Sequence, residues 1–374
     1  PGTYTILNDL AANATFTTGN HIMTGTTIDF AKSTGTANIP GLPYVNITNS
    51  GNGNRNLTGN ISISGTFTRG SAGVYTTSTS TVNYNGTGAQ TIAPISYNNL
   101  TISQSRGSAT VTLSNANTIS ISGNLVLSAS NVNYVLTGTT LQFIGAAQTN
   151  IPSFGTTYNN LTFSGSGEKS FAAAVTMANS STLTLSGTAD LNNTVNNVRV
   201  GTTSGTIARS GGSLRNAPLF PTSLNLNYFA GATTGPEVPT SATILNNVVI
   251  SSGAGNNVIL AASTTPTING NVSLASGNLD INSASSLTVN GLINSSGGFI
   301  KGGTSSNLII GGNSGLNASI PFASGFELLN NLTVNRSGSA STLTLGSNLT
   351  INTNVNFGSS STCKINTGAN TLTL

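Results

Sequence analysis

The sequence predicts an all-β protein built as a parallel β-helix, a solenoid of stacked coils with almost no helix. Three observations carry this reading. Apolar and polar residues alternate with a period of two in many short runs, such as Ile61-Ser-Ile-Ser, Thr110-Val-Thr-Leu, Leu183-Thr-Leu and Leu343-Thr-Leu, the mark of half-buried strands. Five copies of one phrase recur: an aliphatic–proline step at Pro40, Pro94, Pro152, Pro239 and Pro321, then an aromatic or leucine two residues before an asparagine. The copies are spaced by 54, 58, 87 and 82 residues, and a coil of roughly 27–29 residues, taken two or three times, accounts for both sizes. A solenoid can gain or lose a whole turn without disturbing its neighbours, whereas tandem globular domains do not change length in such steps.

The elements follow in order. The phrases run Tyr44-Val-Asn46-Ile-Thr, Tyr97-Asn-Asn99-Leu-Thr, Tyr158-Asn-Asn160-Leu-Thr, Leu245-Asn-Asn247-Val-Val and Leu329-Asn-Asn331-Leu-Thr, in repeats near 40–48, 94–102, 152–163, 239–250 and 321–334. In the second repeat Val82-Asn-Tyr-Asn-Gly ends a strand, Gln90 to Pro94 turns, and Tyr97 to Ile102 begins the next strand. A loop from Ser103 to Gly107 precedes Ala109-Thr-Val-Thr-Leu113, and Thr118 to Ile121 and Asn124 to Leu127 follow. The third repeat keeps the order, with Gln148 to Pro152, Tyr158 to Phe163 and a Ser-Gly-Ser-Gly loop. This gives three short strands per coil, about 13 coils, and one continuous solenoid over residues 1–374. The segment Phe171-Ala-Ala-Ala-Val-Thr-Met-Ala is the best helical candidate; it is short and is read as a continuation of the strand pattern. Asn46, Asn99, Asn160, Asn247 and Asn331 are expected to occupy one corner, where asparagine tolerates left-handed backbone and bonds its own chain. Tyr44, Tyr97 and Tyr158 are expected to pack into that corner.

Composition narrows the chemistry. Hydrophobic residues are 36% and charged residues 5% of the chain, with 44 glycines, against ~25% charged in ordinary soluble proteins. Catalysis needs titratable groups, and the carboxylates are only Asp9, Asp29, Asp190, Asp280, Glu168, Glu237 and Glu327. A solenoid brings together residues one coil apart, so Glu168 with Asp190, and Asp9 with Asp29, are the pairs that glycoside hydrolysis could use, at a separation of ~5–9.5 Å. His21 is the only histidine and Cys363 the only cysteine. Zinc and haem therefore lack ligands, no internal disulfide exists, and Cys363 reads as a buried strand thiol. No cofactor is expected. Gly165-Ser-Gly-Glu-Lys-Ser170 departs from a phosphate loop, because Glu168 breaks the Gly-Lys-Ser step.

The net charge is +4 from 11 basic residues. Arg199, Arg209 and Arg215 are the densest group and form a candidate anion patch, for example for acidic glycans. Nucleic-acid binding needs a stripe of Lys and Arg, which is missing. No apolar run approaches the ~20 residues of a membrane span. Thr-x-Thr strands resemble ice-binding arrays in composition but are scattered out of register. The Asn-x-Ser/Thr triplets at Asn46, Asn56, Asn60, Asn99 and Asn160 are read as incidental.

The Tyr-Asn-Asn-Leu-Thr-[Ile/Phe]-Ser phrase at Tyr97 and Tyr158, with Ser-Gly-Ser-Gly-Glu-Lys-Ser and Ser-Gly-Asn-Leu-Val-Leu, resembles repeats of very large Bacteroidota cell-surface proteins. These include gliding-motility adhesins and other cargo of the type 9 secretion system. The resemblance spans the chain in five short copies and implies surface display, stalk-like repeats and adhesion. The chain starts at Pro1 without a secretory leader and stops at Asn370-Thr-Leu-Thr-Leu374 without an evident cap or sorting domain. The expectation is that it continues in a longer protein or stacks end to end on other copies. The expected role is thus a non-catalytic, extracellular stalk or filament segment. The alternatives are a β-helical carbohydrate-active enzyme and a glycan-binding module using Tyr and Arg.

Overall fold

The computed structural model describes residues 2–6, 25–70, 73–113, 116–195, 197–281, 285–313, 319–337, 342–358 and 363–374. Among them there is no helix, and every ladder between named strands is parallel. The chain forms two compact units, Pro1–Met177 and Ala178–Leu374. Each is a β-solenoid, and the two together contain about 15 turns.

In the first unit the chain visits three faces in each turn. One face holds the sheet Pro43–Tyr44, Ile61–Ile63, Thr81–Tyr84, Asn99–Ile102, Leu125–Leu127. A second begins with Thr3–Ile6, Thr27–Phe30, Asn46–Thr48, Phe67–Thr68, and a third with Thr36–Pro40, Asn54–Thr58, Tyr75–Thr76. Because side chains alternate along a strand, every second residue points inward and stacks on its counterpart one turn away. Ile61, Val82, Leu100 and Leu125 form one such buried column. Ile121, Phe143 and Phe163 form another, with the Phe143 and Phe163 rings stacked at 5.7 Å. Each fully buried side chain of this kind contributes ~1.5–3 kcal/mol.

The second unit repeats the principle with longer strands. Leu183, Ile207, Leu226, Val248, Val272 and Ile293 form a buried column across six successive turns. Ser181–Leu191 and Ser204–Leu214 each run 11 residues, whereas the longest strand of the first unit, Ser166–Phe171, has 6. The long strands turn a corner without breaking, and their ladders shift register there, for example between Gly187 and Asp190 and between Leu329 and Asn331. A bulge of this kind bends a strand while keeping it paired.

The coil is shorter than the proline spacing implies. Thr36 lies beside Asn54 and Thr81 beside Asn99, 18 residues on, and the longest offset is 26, from Ala232 to Val258. The expected 27–29 residues followed from treating the short repeats as two whole coils. From Asn46–Thr48 to Asn99–Ile102 the chain passes through eight strands, which at three per turn is two turns and two further faces. The phrase therefore steps back by one face per copy. Asn99 lies in the sheet that Tyr44 begins, and Asn160 in the sheet that Tyr97 begins. Asn46, Asn99 and Asn160 consequently stand on three different faces, and the expectation of one shared asparagine corner is corrected for these repeats. The Phe171 segment ends one strand and enters Val175–Thr176.

Candidate functional site

The polar side chains with the most developed surroundings lie at the coil corners. Corner backbone leaves the sheet ladders, so its carbonyl and amide groups need other partners when buried. Three devices supply them.

Asparagine is the first. Asn46 Oδ1 accepts the Thr66 amide at 2.8 Å, Asn99 Oδ1 accepts the Asn124 amide at 2.8 Å, and Asn247 Oδ1 accepts the Asn271 amide at 2.8 Å. Each bond joins one turn to the next. The amide oxygen occupies space that a side chain on the next turn would need: a Cβ on Gly123 would lie 2.5 Å from Asn99 Oδ1, and one on Gly270 would lie 2.4 Å from Asn247 Oδ1. Asn160 instead reaches Thr140 Oγ1 at 3.4 Å. Asn331 Nδ2 donates to Asn307 Oδ1 at 2.7 Å, and Asn354 Nδ2 donates to Asn331 Oδ1 at 3.3 Å, a short amide ladder.

Tyrosine and glutamine are the second. The Tyr44 hydroxyl donates to the Pro40 carbonyl at 2.9 Å and the Tyr97 hydroxyl to the Ala93 carbonyl at 2.8 Å, while the Tyr158 oxygen accepts the Phe154 amide at 3.1 Å. All three bonds span four residues; for Tyr44 and Tyr97 the partner lies on the aliphatic–proline step, and for Tyr158 it is Phe154, two residues beyond Pro152. Tyr84 joins Tyr97 hydroxyl to hydroxyl at 2.9 Å and accepts the Ala93 amide at 3.0 Å. Burial pushes the phenols of Tyr44, Tyr84, Tyr97 and Tyr158 above their usual range. The Gln90 amide donates to the Ile63 and Gly65 carbonyls at 2.9 and 2.8 Å, and Gln148 repeats this on Ile121 and Gly123 at 3.1 and 2.7 Å.

Buried cations are the third. Five of the 11 basic side chains, Arg55, Arg106, Lys169, Arg209 and Arg336, are at most 8% exposed. Arg55 donates to the carbonyls of Phe30, Lys32, Gly51, Gly53 and Asn54 and to Asn49 Oδ1. Arg106 donates to the carbonyls of Tyr84 at 2.7 Å, Gly88 at 3.0 Å and Ser103 at 3.2 Å, and to Gln90 Oε1 at 2.8 Å. Lys169 Nζ meets the carbonyls of Gly145, Ala146 and Ser166, and Arg336 donates to that of Gly291. Burial lowers the pKa of Arg55, Arg106, Lys169 and Arg336, because the charged form loses its water. Burying an ion costs several kcal/mol unless it is well bonded, and hydrogen bonds to a charged group contribute ~1.5–3 kcal/mol each. Several carbonyls focused on one cation offset the cost, helped at Arg55 by the nearby charge of Asp29.

Arg209 differs: it pairs with the buried carboxylate of Glu237 at 2.5 Å, and the Tyr228 hydroxyl donates to the same oxygen at 3.0 Å. It also donates to the Gly212 carbonyl through Nε and Nη2. Arg209 therefore offers no charge to an outside anion. Arg215 is bound to Asp190 at 2.6 Å, with Ser213 on the other carboxylate oxygen at 3.1 Å. Arg199 is half-buried and its backbone bridges to Leu219. The three arginines thus have three different environments and do not make a shared anion patch, since one is buried and one neutralised.

The remaining sequence candidates are placed as follows. His21 and Asp9 lie outside the described residues. Asp29 is buried and caps a turn, accepting the Ser50 amide at 3.0 Å and the Ser50 hydroxyl at 2.6 Å. Glu168 is half-buried. Cys363 is half-buried just before strand Lys364–Asn366, and its thiol meets the Arg336 carbonyl at 3.2 Å. Among the described residues, no three His, Cys, Asp or Glu side chains gather closely enough to hold a metal ion, and no helix is long and apolar enough to cross a membrane. Sequence reasoning missed the buried cations. The available signal was a lone Arg or Lys inside Gly, Ser and Asn, as in Asn54-Arg-Asn, Ser105-Arg-Gly and Asn335-Arg-Ser. Comparisons with protein-family models, curated proteins and solved structures found no match.

Proposed function

We propose that this chain is an extracellular structural segment, a stalk or filament piece of a bacterial surface adhesin, with no catalysis of its own. The observation that supports the reading best is the use of the buried polar side chains. Arg55, Arg106, Lys169, Gln90, Gln148 and the corner asparagines bond one turn to another, so several of the chain's few charged side chains serve its stacking. A segment that transmits tension between an anchor and a binding tip needs that kind of turn-to-turn cohesion. The repeat phrases and the nearly uncharged Ser/Thr/Asn/Gly surface agree with display outside the cell, with neighbouring repeats or other copies as end-to-end partners.

A glycan-binding module is the second reading, favoured by one surface of the second unit. Phe299 and Phe326 are 42% and 43% exposed, Lys301 lies 3.6 Å from the centre of the Phe326 ring, and Asp280 stands beside Lys301 in the ladder. The intact mass and location of the native polypeptide carrying this segment separate the readings. A stalk predicts recovery with the cell surface and a mass several times the 37.5 kDa of this chain, or end-to-end assembly if the mass is 37.5 kDa. Recovery from the cytosol, or cleavage of polysaccharides by the purified chain, would contradict it. Saturable binding on a glycan array that is lost with Phe299→Ala would favour the second reading.

A further inference from the structure

The first unit contains a break in its own ladder. Phe67–Thr68 pairs with Asn46–Thr48, and Gln90–Ile92 pairs with Thr110–Leu113; both are terminal strands of their sheets. They follow one another by one turn. On another face the same turns remain paired without interruption, through Ile61–Ile63, Thr81–Tyr84 and Asn99–Ile102. On the third face the ladder stops as well, since Tyr75–Thr76 and Ser96–Tyr97 end their own sheets, so these turns are joined by a ladder on one face of three. A groove of about 620 Å³ lies here, with Thr66, Phe67 and Thr68 on one bank and Gln90 and Thr91 on the other, and it runs on over Thr110 and Thr112 of the next strand. Arg69 sits at one end, its Nη1 donating to the Pro94 carbonyl at 3.2 Å and its guanidinium 5.8 Å from the centre of the Tyr75 ring.

Two parallel edge strands facing each other across a groove select their occupant. Each edge offers main-chain donors and acceptors alternating along the strand, a pattern that another extended backbone matches and a sugar ring or lipid chain does not. An extended segment laid along either edge would continue that edge's parallel sheet. The banks also set side-chain preference. Phe67 and Ile92 are buried and point inward, whereas Thr68 and Thr91 are exposed, so the occupant alternates apolar and small hydroxyl residues. Arg69 is the only charged side chain among the described residues that line the groove. Addition of a strand to exposed edges is a known mode of peptide recognition, in which the backbone supplies affinity and alternate pockets supply specificity.

We propose that this groove is a strand-addition site for an extended segment of a partner protein, which pairs along these edges and presents one carboxylate to Arg69. The site is independent of the stalk reading, since it needs only the exposed edges.

The test uses the whole chain and the peptide acetyl-Thr-Val-Thr-Val-Thr-Asp-amide, with amide hydrogen exchange read by mass spectrometry. Saturable binding is expected, with protection confined to residues 66–70 and 89–94. The same peptide N-methylated at alternate positions loses one row of donors and should bind ~10-fold more weakly or worse, from two or more missing hydrogen bonds. Arg69→Gln, an exposed substitution, should weaken the parent peptide up to ~5-fold and leave an Asn-ended version unchanged. The proposal is overturned if neither the parent peptide nor its Asn-ended version protects these strands. Equal binding of the N-methylated peptide overturns it as well, because the backbone would then not be what is read.

Discussion

The two units solve the same corner problem with different chemistry. In the first, short strands stop at each corner and a tyrosine closes it: Tyr44, Tyr97 and Tyr158 each bond backbone four residues earlier. In the second, the phrase carries Leu245 and Leu329 instead, which have no hydroxyl to give. There the strand runs on through the corner, as in Leu245–Ser251 and Leu328–Val334, and the Asn-Asn pair forms a register shift. Asn246 and Asn247 both donate to the single Asn225 oxygen, at 3.2 and 3.1 Å. A turn stapled by a side chain and a turn made by a bulge are thus interchangeable ways of keeping the next coil in contact. Among the described residues, the second unit holds the buried ion pair Arg209–Glu237, whereas Arg55, Arg106 and Lys169 of the first are hydrogen-bonded to carbonyl oxygens.

The largest effects should come from the buried charges. Arg55→Met strands the five carbonyls that the guanidinium serves, and Glu237→Gln leaves Arg209 buried without its counter-ion. Each should cost ~3–5 kcal/mol, read as a fall in the urea midpoint. If Arg55→Met cost as little as a surface substitution, the carbonyl cluster would be incidental and the contrast between the units would fail.

Alkali should separate the units next. Six tyrosines of the first unit, Tyr44, Tyr75, Tyr84, Tyr97, Tyr134 and Tyr158, are raised above the usual phenol range by burial, against Tyr228 alone in the second. An unfolded tyrosine loses its proton near pH 10 while the folded one keeps it. The stabilisation is therefore complete below pH 10 and lost as pH climbs from there towards the folded values. Hydrogen exchange across that window should show the first unit opening before the second. Simultaneous opening would mean that the tyrosine corners do not set the stability of the first unit.

Smaller changes sharpen the comparison. Tyr97→Leu writes the second unit's phrase into the first and should cost ~1–3 kcal/mol, because the Ala93 carbonyl and the Tyr84 hydroxyl lose a partner. Gly123→Ala drives a methyl against Asn99 Oδ1 and the Asn98 carbonyl and should cost ~1–3 kcal/mol; combined with Asn99→Ala, which removes the nearer obstacle and leaves the carbonyl at 2.9 Å, part of that loss should disappear. Asn99→Ala alone should cost ~1 kcal/mol. A double variant no better than the sum would show that the Asn–Gly pairing across the turn is not the source of the strain.

The period-two runs and the stepwise repeat made the solenoid legible, because inward aliphatics are written directly into the sequence. The coil length was not. Over its first three copies the phrase returns on a different face each time, so their spacing measures turns plus two faces, and only the ladder offsets such as Thr81 to Asn99 reveal the difference. The tyrosine–proline corner was visible as a motif, but its four-residue hydrogen bond was not. The buried cations were hidden for a physical reason: Arg55 and Arg106 are bonded mostly to backbone carbonyls, which every residue carries, and otherwise to the neutral amides of Asn49 and Gln90, so no charged partner marks them. Lys169, set in the glycine-rich run Gly165-Ser-Gly-Glu-Lys-Ser170, is fully buried, and no local pattern marks it as such. Arg209 and Glu237 lie 28 residues apart, a pairing that no local motif announces.

The account's central claim is that buried polar side chains bind turn to turn, and Lys169→Met tests it most directly. Methionine keeps the unbranched stem and removes only the ammonium that meets the Gly145, Ala146 and Ser166 carbonyls. Native-state hydrogen exchange should show protection falling sharply across strands Gln148–Ile151 and Ser166–Phe171, while Ile61–Ile63 and Thr81–Tyr84 keep theirs. Unchanged protection at Gln148–Ile151 and Ser166–Phe171 would contradict the claim, since the turns would then hold together without the cation.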